Sequence, residues 1–320
     1  MTKQPPLITV FTPTYNRAHL LDACHKSLCT QELKDFEWIV VDDESSDNTT
    51  VTVEGWMDHP TTHSDGTTRG ISRLGGFPII LTRQPHGGKH RATNLAARIA
   101  CGELFFVLDS DDHLLPFSLK HVAELYATVR EDKRFGGVAA QKGHFDGTIF
   151  GPDNIHGITD MSYLERKYVR GKKGEKSEVF KTTIMRDFPQ PDIEGEFFCP
   201  ESLIWNRISA QFLLRYSGKI VYHCEYLPDG LTAQATRRRM RNPVATLLTY
   251  SELTRYDIPF LTKCRAAINY HRFAPCMKSR KPSGIDNGRL LSPPHISHRW
   301  FFLWPIGRLM HLWDKIRVRS

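Results

Sequence analysis

The sequence predicts an α/β protein: a doubly wound, mostly parallel sheet followed by a basic helical extension. Three observations predict it. Short β-branched apolar runs alternate with helix-period patterns through the first 130 residues, and repeated β-α-β units of that length build a parallel sheet. Each apolar run ends in a polar turn rich in Asp, Gly or Asn. Charge also changes sign along the chain. Residues 1–160 hold 15 Lys and Arg against 21 Asp and Glu, whereas residues 231–320 hold 17 against 4.

The elements follow in order. Leu7 to Phe11 reads as a first strand, and Leu20, Leu21, Cys24 and Leu28 fall at helical spacing after it. Phe36 to Val41 is a second buried strand, rich in β-branched residues. Residues 57–76, with four Gly among His, Thr, Ser and Asp, read as a surface loop. Ile79-Ile80-Leu81 is a third strand. Ala92, Leu95, Ala96 and Ile99 line a helix, with Gly102 placed as its C-terminal cap. Leu104 to Leu108 is a fourth strand, and a helix with Leu119, Val122, Tyr126 and Val129 follows Pro116. Beyond residue 135 the rhythm loosens: a strand at Val179-Phe180, a helix from Leu203 to Leu213, a strand at Ile220-Val221-Tyr222. From Arg237 the pattern is helical and basic, and residues 278–295 read as a linker. The expected division is a domain over 1–230, in two halves (1–130 and 131–230), and a basic extension over 231–320.

Ligands of open parallel sheets bind beyond the carboxyl ends of the strands. Here those ends read Thr12-Pro13-Thr14-Tyr15-Asn16-Arg17, then Asp42-Asp43-Glu44-Ser45, then His86-Gly87-Gly88-Lys89-His90-Arg91, then Asp109-Ser110-Asp111-Asp112. Crowded carboxylates repel, and a hard divalent cation resolves the repulsion. Mg²⁺ or Mn²⁺ takes one or two carboxylates plus phosphate oxygens. The plainer reading of the acidic cluster is a solvated turn before a helix. Gly87-Gly88 opens a helix, a setting that favours phosphate, but it matches neither a P-loop nor a dinucleotide fingerprint. Asp42-Asp43 suits a base or ribose, or a cap and turn; Tyr15 suits a stacked base, or a cover over the sheet end.

In order and spacing these motifs resemble family 2 glycosyltransferases, over residues 6–130. The resemblance implies a GT-A fold, a nucleoside diphosphate sugar donor with UDP as default, and transfer with inversion. It implies that Pro13, Tyr15 and Asp42 hold the nucleobase. It also implies that Asp109 with Asp111 or Asp112 meets ribose, diphosphate and metal. Arg17, Lys89, Arg91 and Asn94 complete the nucleotide side, with Lys89 and Arg91 available to neutralise the leaving diphosphate. Family members often carry Glu-Asp with Trp and Arg four and six residues after the Asp, which is the base. Here Pro200-Glu201 stands in that place, with Trp205 and Arg207 at those spacings on the acceptor side. Glu201 is therefore the expected base, and Glu194 and Glu196 of an upstream Glu-Gly-Glu are its rivals. A helix N-terminal acid after Pro200 is the structural alternative.

The basic tail lacks any nucleic-acid motif, so nucleic acid is not an expected partner. Residues 299–319 carry three Trp and two Phe among Arg299, Lys315, Arg317 and Arg319. That composition suits an interfacial anchor on an anionic membrane, or a helix packed on the protein's own core. Seven cysteines without Cys-x-x-Cys fit reduced thiols, and no signal or spanning segment is visible. The expectation is a cytoplasmic protein, peripheral on the inner face of the plasma membrane, acting on a glycan or lipid-linked acceptor. The rival functions are a sugar-nucleotidyltransferase, which needs a Gly-rich loop after strand one, and a non-catalytic nucleotide-sugar binding module.

Overall fold

A computed structural model of the chain describes residues 4–172, 174–225, 234–277 and 282–319. The first half runs β1 (Ile8–Thr14), α1 (Ala18–Cys29), β2 (Phe36–Asp42), α2 (Thr49–Gly55), β3 (Met57–Thr62), β4 (Thr67–Ser72), β5 (Pro78–Arg83), α3 (Lys89–Ile99), β6 (Leu104–Val107), β7 (His113–Leu114), α4 (Ser118–Ala127) and β8 (Phe135–Gly143). It continues with β9 (Ile158–Met161), β10 (Lys176–Lys181), α5 (Thr182–Asp187), β11 (Asp192–Ile193), α6 (Glu201–Ser209) and β12 (Leu213–His223). The C-terminal part holds α7 (Ala235–Arg241), α8 (Pro243–Leu253), α9 (Phe260–Phe273), β13 (Gly284–Asp286), β14 (Arg289–Leu290) and α10 (Trp304–Arg319).

Two compact units divide these elements. One comprises the described residues within Met1–Ser162, Lys172–Asp187 and Gln211–Glu225. The other comprises those within Tyr163–Gly171, Phe188–Ala210 and Tyr226–Ser320, so residues 188–210 share a unit with the basic C-terminal part.

The first unit is one large sheet in the order β3-β4-β5-β2-β1-β6-β10-β8-β12-β7, with β9 on β12. Its centre, β5-β2-β1-β6, is parallel. These strands are parallel because each is joined to the next by a crossover, and their apolar runs are buried: Ile8, Val10, Trp38, Val40, Ile79, Leu104 and Phe106 lie at 0–1% exposure in one cluster. Leu21, Cys24 and Leu28 of α1 and Leu119, Val122 and Tyr126 of α4 join that cluster, which is the helical spacing read from the sequence.

Several expectations are corrected. Residues 57–76 are not a loop: β3 and β4 form an antiparallel hairpin that extends the sheet through β5. Asp65-Gly66, with Gly66 at φ +78°, makes its tip, and that dipeptide was the available signal. Gly102 does not cap α3. A Cβ there would sit 2.3 Å from the Thr9 nitrogen, and its N–H donates to Thr9 Oγ1 at 2.9 Å, so glycine serves close passage over β1. The helix read over 203–213 stops at Ser209, and Leu213 begins β12. β8, absent from the sequence reading, starts Phe-Gly-Gly and has little β propensity, yet it is almost wholly buried. The strand expected at Leu104 to Leu108 ends at Val107.

In the second unit, α8 is buried along most of its length and α9 supplies Ala266, Ala267 and Phe273 to its interior. The linker read over 278–295 contains a hairpin, β13-β14, which pairs with β11. Asn287 and Gly288, at φ +49° and +74°, form its two-residue turn. Residues 278–281 of that expected linker lie outside the described residues. No helix among the described residues is long and apolar enough to cross a membrane.

Candidate active site

Register decides where the polar turns meet. Thr14 at the end of β1 pairs with Asp42 at the end of β2, which pairs with Arg83 at the end of β5, while Phe11 pairs with Val107 of β6. The four turns therefore leave one edge of the parallel sheet.

Two ion pairs organise the acidic turn after β6. Lys89 Nζ at the start of α3 donates to Asp109 Oδ1 at 2.5 Å, and Arg17 Nη1 donates to Asp111 Oδ2 at 2.6 Å. The Asp109 backbone N–H donates to Tyr222 Oη at 2.9 Å, which ties the turn to β12. The Tyr222 hydroxyl in turn bonds the Asp112 carboxyl. Lys142 of β8 lies over the Tyr222 ring at 4.4 Å. Burial works to raise Asp109, but Lys89 and Lys142 hold it below the usual carboxylate range. Asp112 goes the other way. Burial and the carboxylates of Asp109 and Asp111 push it up to about 7.

The turns after β1, β2 and β5 are laced together. Tyr15 is 45% exposed and stacks on the His86 ring at 4.3 Å. Asn16 and Glu44 hold left-handed backbone at φ +52° and +67°, where non-glycine residues are uncommon and mark special geometry. The Asn16 N–H donates to Ser45 Oγ at 2.9 Å. Asp42 is fully buried and accepts the Ser45 N–H at 2.9 Å, which is the turn role weighed for it. Pro13 lies within β1 opposite Val41. Arg91 Nη1 donates to the Gly87 carbonyl at 3.0 Å, and Asn94 lies further along α3.

The glycine turn differs from its expected use. The N–H groups of Gly87 and Gly88 donate to the two carboxylate oxygens of Asp43 at 2.8 Å each. Asp43, not phosphate, fills that cradle, and Gln84 Nε2 adds a third donor at 2.7 Å. The sequence reading gives Asp43, with Asp42, either a base or ribose to hold or a turn, and does not reach Tyr222 or Lys142. Tyr222 sat on a strand that was read, but Lys142 sat on β8, which was not.

The residues expected on the acceptor side, Glu201, Trp205 and Arg207, belong to the second unit. Glu201 is the first residue of α6, half-buried, after Pro200. Trp205 is buried on the same helix. Arg207 forms ion pairs with Glu252 at 2.6 Å and Asp286 at 2.7 Å, so its guanidinium ties α6 to α8 and β13. Glu196 is buried and accepts the N–H groups of Val244 and Ala245 at 2.7 and 2.9 Å, capping α8. Glu194 is exposed.

The parallel α/β sheet thus gathers acidic turns and paired cations at its strand ends. Residues 9–132 match the model for glycosyl transferase family 2. The match covers about two fifths of the chain, which through that region is similar to this family. The GalNAc(5)-diNAcBac-PP-undecaprenol beta-1,3-glucosyltransferase of Campylobacter jejuni is 29% identical over 207 residues, 62% of this chain and 59% of that protein. The chain thus spans about three fifths of that curated relative. Among solved structures, TarS of S. aureus (residues 1–349) with UDP has a TM-score of 0.55 at 19% identity, covering 86% of this chain and 72% of that one. A mannosyltransferase from Pyrobaculum calidifontis, in complex with GDP-Man and Mn²⁺, has a TM-score of 0.53 at 18% identity, covering 98% and 89%. At these identities the likeness is one of fold.

Proposed function

We propose that the protein is an inverting glycosyltransferase that moves a hexose from a nucleoside diphosphate donor, UDP by default, to a hydroxyl of a lipid-linked or glycan acceptor. The observation that carries this reading is the pair of cations, Lys89 and Arg17, held by Asp109 and Asp111 on the edge where Tyr15 also projects. A half-exposed ring suits a stacked base, and fixed cations suit a diphosphate. The C. jejuni relative is named for a PP-undecaprenol substrate, and TarS is seen with UDP, which supports the acceptor and donor classes.

In the reaction, the acceptor hydroxyl gives its proton to a carboxylate, and its oxygen bonds the anomeric carbon from the face opposite the leaving group. The bond from that carbon to the diphosphate oxygen breaks, and its electron pair leaves on the diphosphate. Lys89 and Arg17 neutralise the charge that grows there, with no reorganisation at the moment of reaction. Glu201 is the proposed base. Its support is its place on α6 four residues before Trp205, together with the commitment of Glu196 to the α8 amides.

Mg²⁺ or Mn²⁺ fits the donor set. Asp111 and Asp112, with Asp109, are all-oxygen ligands, and the buried Asp112 carboxyl lacks a full counter-charge. Among the described residues no group of three acidic, imidazole or thiol side chains is placed to hold a metal ion by itself; Mg²⁺ or Mn²⁺ would take one or two of these carboxylates plus phosphate oxygens. When bound, the ion supplies positive charge to the leaving diphosphate. Thermal-shift measurements with UDP, GDP, CMP and dTDP, each with and without Mn²⁺, test the reading. Stabilisation by UDP that grows with Mn²⁺ is expected. Stabilisation by none of the nucleotides would sink it.

A further inference from the structure

The C-terminal segment is amphipathic in the inverse sense of a helix that covers a core. α10 turns Gly307, His311 and Asp314 inward, and the last two are 3% exposed. It turns Trp304, Ile306, Leu309, Leu312, Trp313 and Ile316 outward, at 43% to 71% exposure. The roll of the helix is fixed by its polar side. Asp314 accepts Arg272 Nε and Nη2 of α9 at 2.5 and 2.7 Å. A Cβ on Gly307 would lie 2.7 Å from the Ile268 carbonyl oxygen, so α10 lies against the α9 backbone.

The apolar face continues beyond α10. Phe301 and Phe302, in a helical turn at His298–Leu303, are each 63% exposed. Phe260 and Leu261 at the start of α9 are 64% and 71% exposed, and Phe260 stacks on Trp300 at 5.8 Å. Water gains nothing from such a face, and contiguous exposed apolar surface of this kind marks an interaction site.

Charge says what covers it. Arg308 and Arg317 lie over the Trp304 and Trp313 rings at 5.8 and 5.4 Å, Arg299 lies over Trp300 at 5.2 Å, and Lys315 is exposed. The Arg319 side chain lies outside the described residues. Between residues 295 and 320 the sole acidic residue is Asp314, which Arg272 neutralises. From 295 to 319 the face therefore offers cations and aromatic rings with no exposed carboxylate; the nearest in sequence to the start of α9 is the exposed Asp257. A second copy pressed on the same face would set cation against cation. An anionic lipid headgroup layer over acyl chains meets both requirements, and Trp, Arg and Lys suit that boundary.

We propose that α10, with the preceding turn and the start of α9, docks the protein on an anionic bilayer, the helix lying in the plane of the headgroups. The inference rests on this face alone and is independent of the transferase reading, so its test uses no nucleotide or sugar.

The full chain is sedimented with phosphatidylcholine vesicles and with vesicles containing about 30 mol% phosphatidylglycerol. Binding to the anionic vesicles at least about ten-fold tighter, weakened by salt and accompanied by a blue shift of tryptophan emission, is expected. A Leu309→Ser/Trp313→Ser/Ile316→Ser variant should lose about ten-fold in partitioning with its Tm unchanged, because these side chains contact solvent. An Arg308→Gln/Lys315→Gln variant should lose the preference for anionic lipid. Two results overturn the proposal: equal or absent binding to both vesicles, or a wild-type dimer in vesicle-free buffer that the serine variant converts to monomer.

Discussion

Tyr222 Oη accepts the backbone N–H of Asp109 at 2.9 Å, so a side chain from β12 fixes the acidic turn that leaves β6. Tyr222 is 1% exposed. Tyr222→Phe strands a buried N–H and removes a donor from the Asp112 carboxyl. The expected cost is about 1–3 kcal/mol of stability, read by urea unfolding. Loss of transfer should exceed the loss of stability, since the turn that carries Asp109 and Asp111 is released. A variant with wild-type kcat/KM would remove Tyr222 from the site.

Lys89 and Arg17 are proposed to meet the diphosphate, which separates them from the base-binding side. Lys89→Gln leaves Asp109 without its 2.5 Å partner and takes a positive charge from the leaving group. Transfer should fall about a hundred-fold, the scale of a lost electrostatic stabiliser. Binding of uridine, which has no phosphate, should change little. Calorimetry with uridine and UDP separates the two; equal weakening of both would assign Lys89 a structural role.

Asp43 holds the turn that opens α3 through the Gly87 and Gly88 amides. Asp43→Ala frees two buried N–H groups, and a loss of about 2–4 kcal/mol is expected in chemical denaturation. Phosphate should not rescue the variant, because the cradle is shaped around a side-chain carboxylate. Full rescue of Tm by millimolar phosphate would restore the phosphate-cradle reading of the glycines.

That cradle shows where the sequence was legible and where it was not. The parallel strands were readable because burial on both faces makes continuous apolar runs, as in Trp38 to Val41. The turns were readable because Asp109, Asp111 and Arg17 are chemically conspicuous. Which of them pair is a matter of register: Asp43 meets Gly87 across 44 positions, and no local pattern encodes that. The two hairpins went unread because their strands are polar and short, and only Asp65-Gly66 and Asn287-Gly288 announce them. Lys142 escaped for a further reason: a lysine in a Gly- and Ala-rich strand resembles solvent-exposed chain until β8 is seen inside the sheet.

Glu201 and Glu196 are told apart by what their loss should do. Glu196→Gln weakens the cap on α8, and a loss of about 1 kcal/mol of stability is expected with transfer retained in proportion to folded protein. Glu201→Gln should leave Tm within about a degree and remove transfer by three orders of magnitude or so. Reversal of these two patterns would move the base to Glu196. Retained transfer in both variants would move it to the exposed Glu194.

His25 gives the fold a dependence on acid that is separate from the site. It is 1% exposed, stacked on Trp56 at 4.3 Å and hydrogen-bonded to Ser72 at 3.0 Å through Nε2. Burial pushes its pKa down to about 4, below the ordinary value of 6.5. Between those values the unfolded chain binds the proton and the folded chain does not. Stability from this group is therefore complete above about pH 6.5 and declines as pH falls towards 4, by about 3 kcal/mol in all. Other histidines titrate in the same range, so the measurement is a difference. Unfolding free energies of wild type and His25→Gln are compared from pH 7.5 to 4.5. The wild-type advantage should shrink by most of that amount, because glutamine binds no proton in either state. A pH-independent gap between the two proteins would mean that His25 takes up a proton as readily in the fold as in the unfolded chain, and the aromatic stack would then have to hold a cation at low pH.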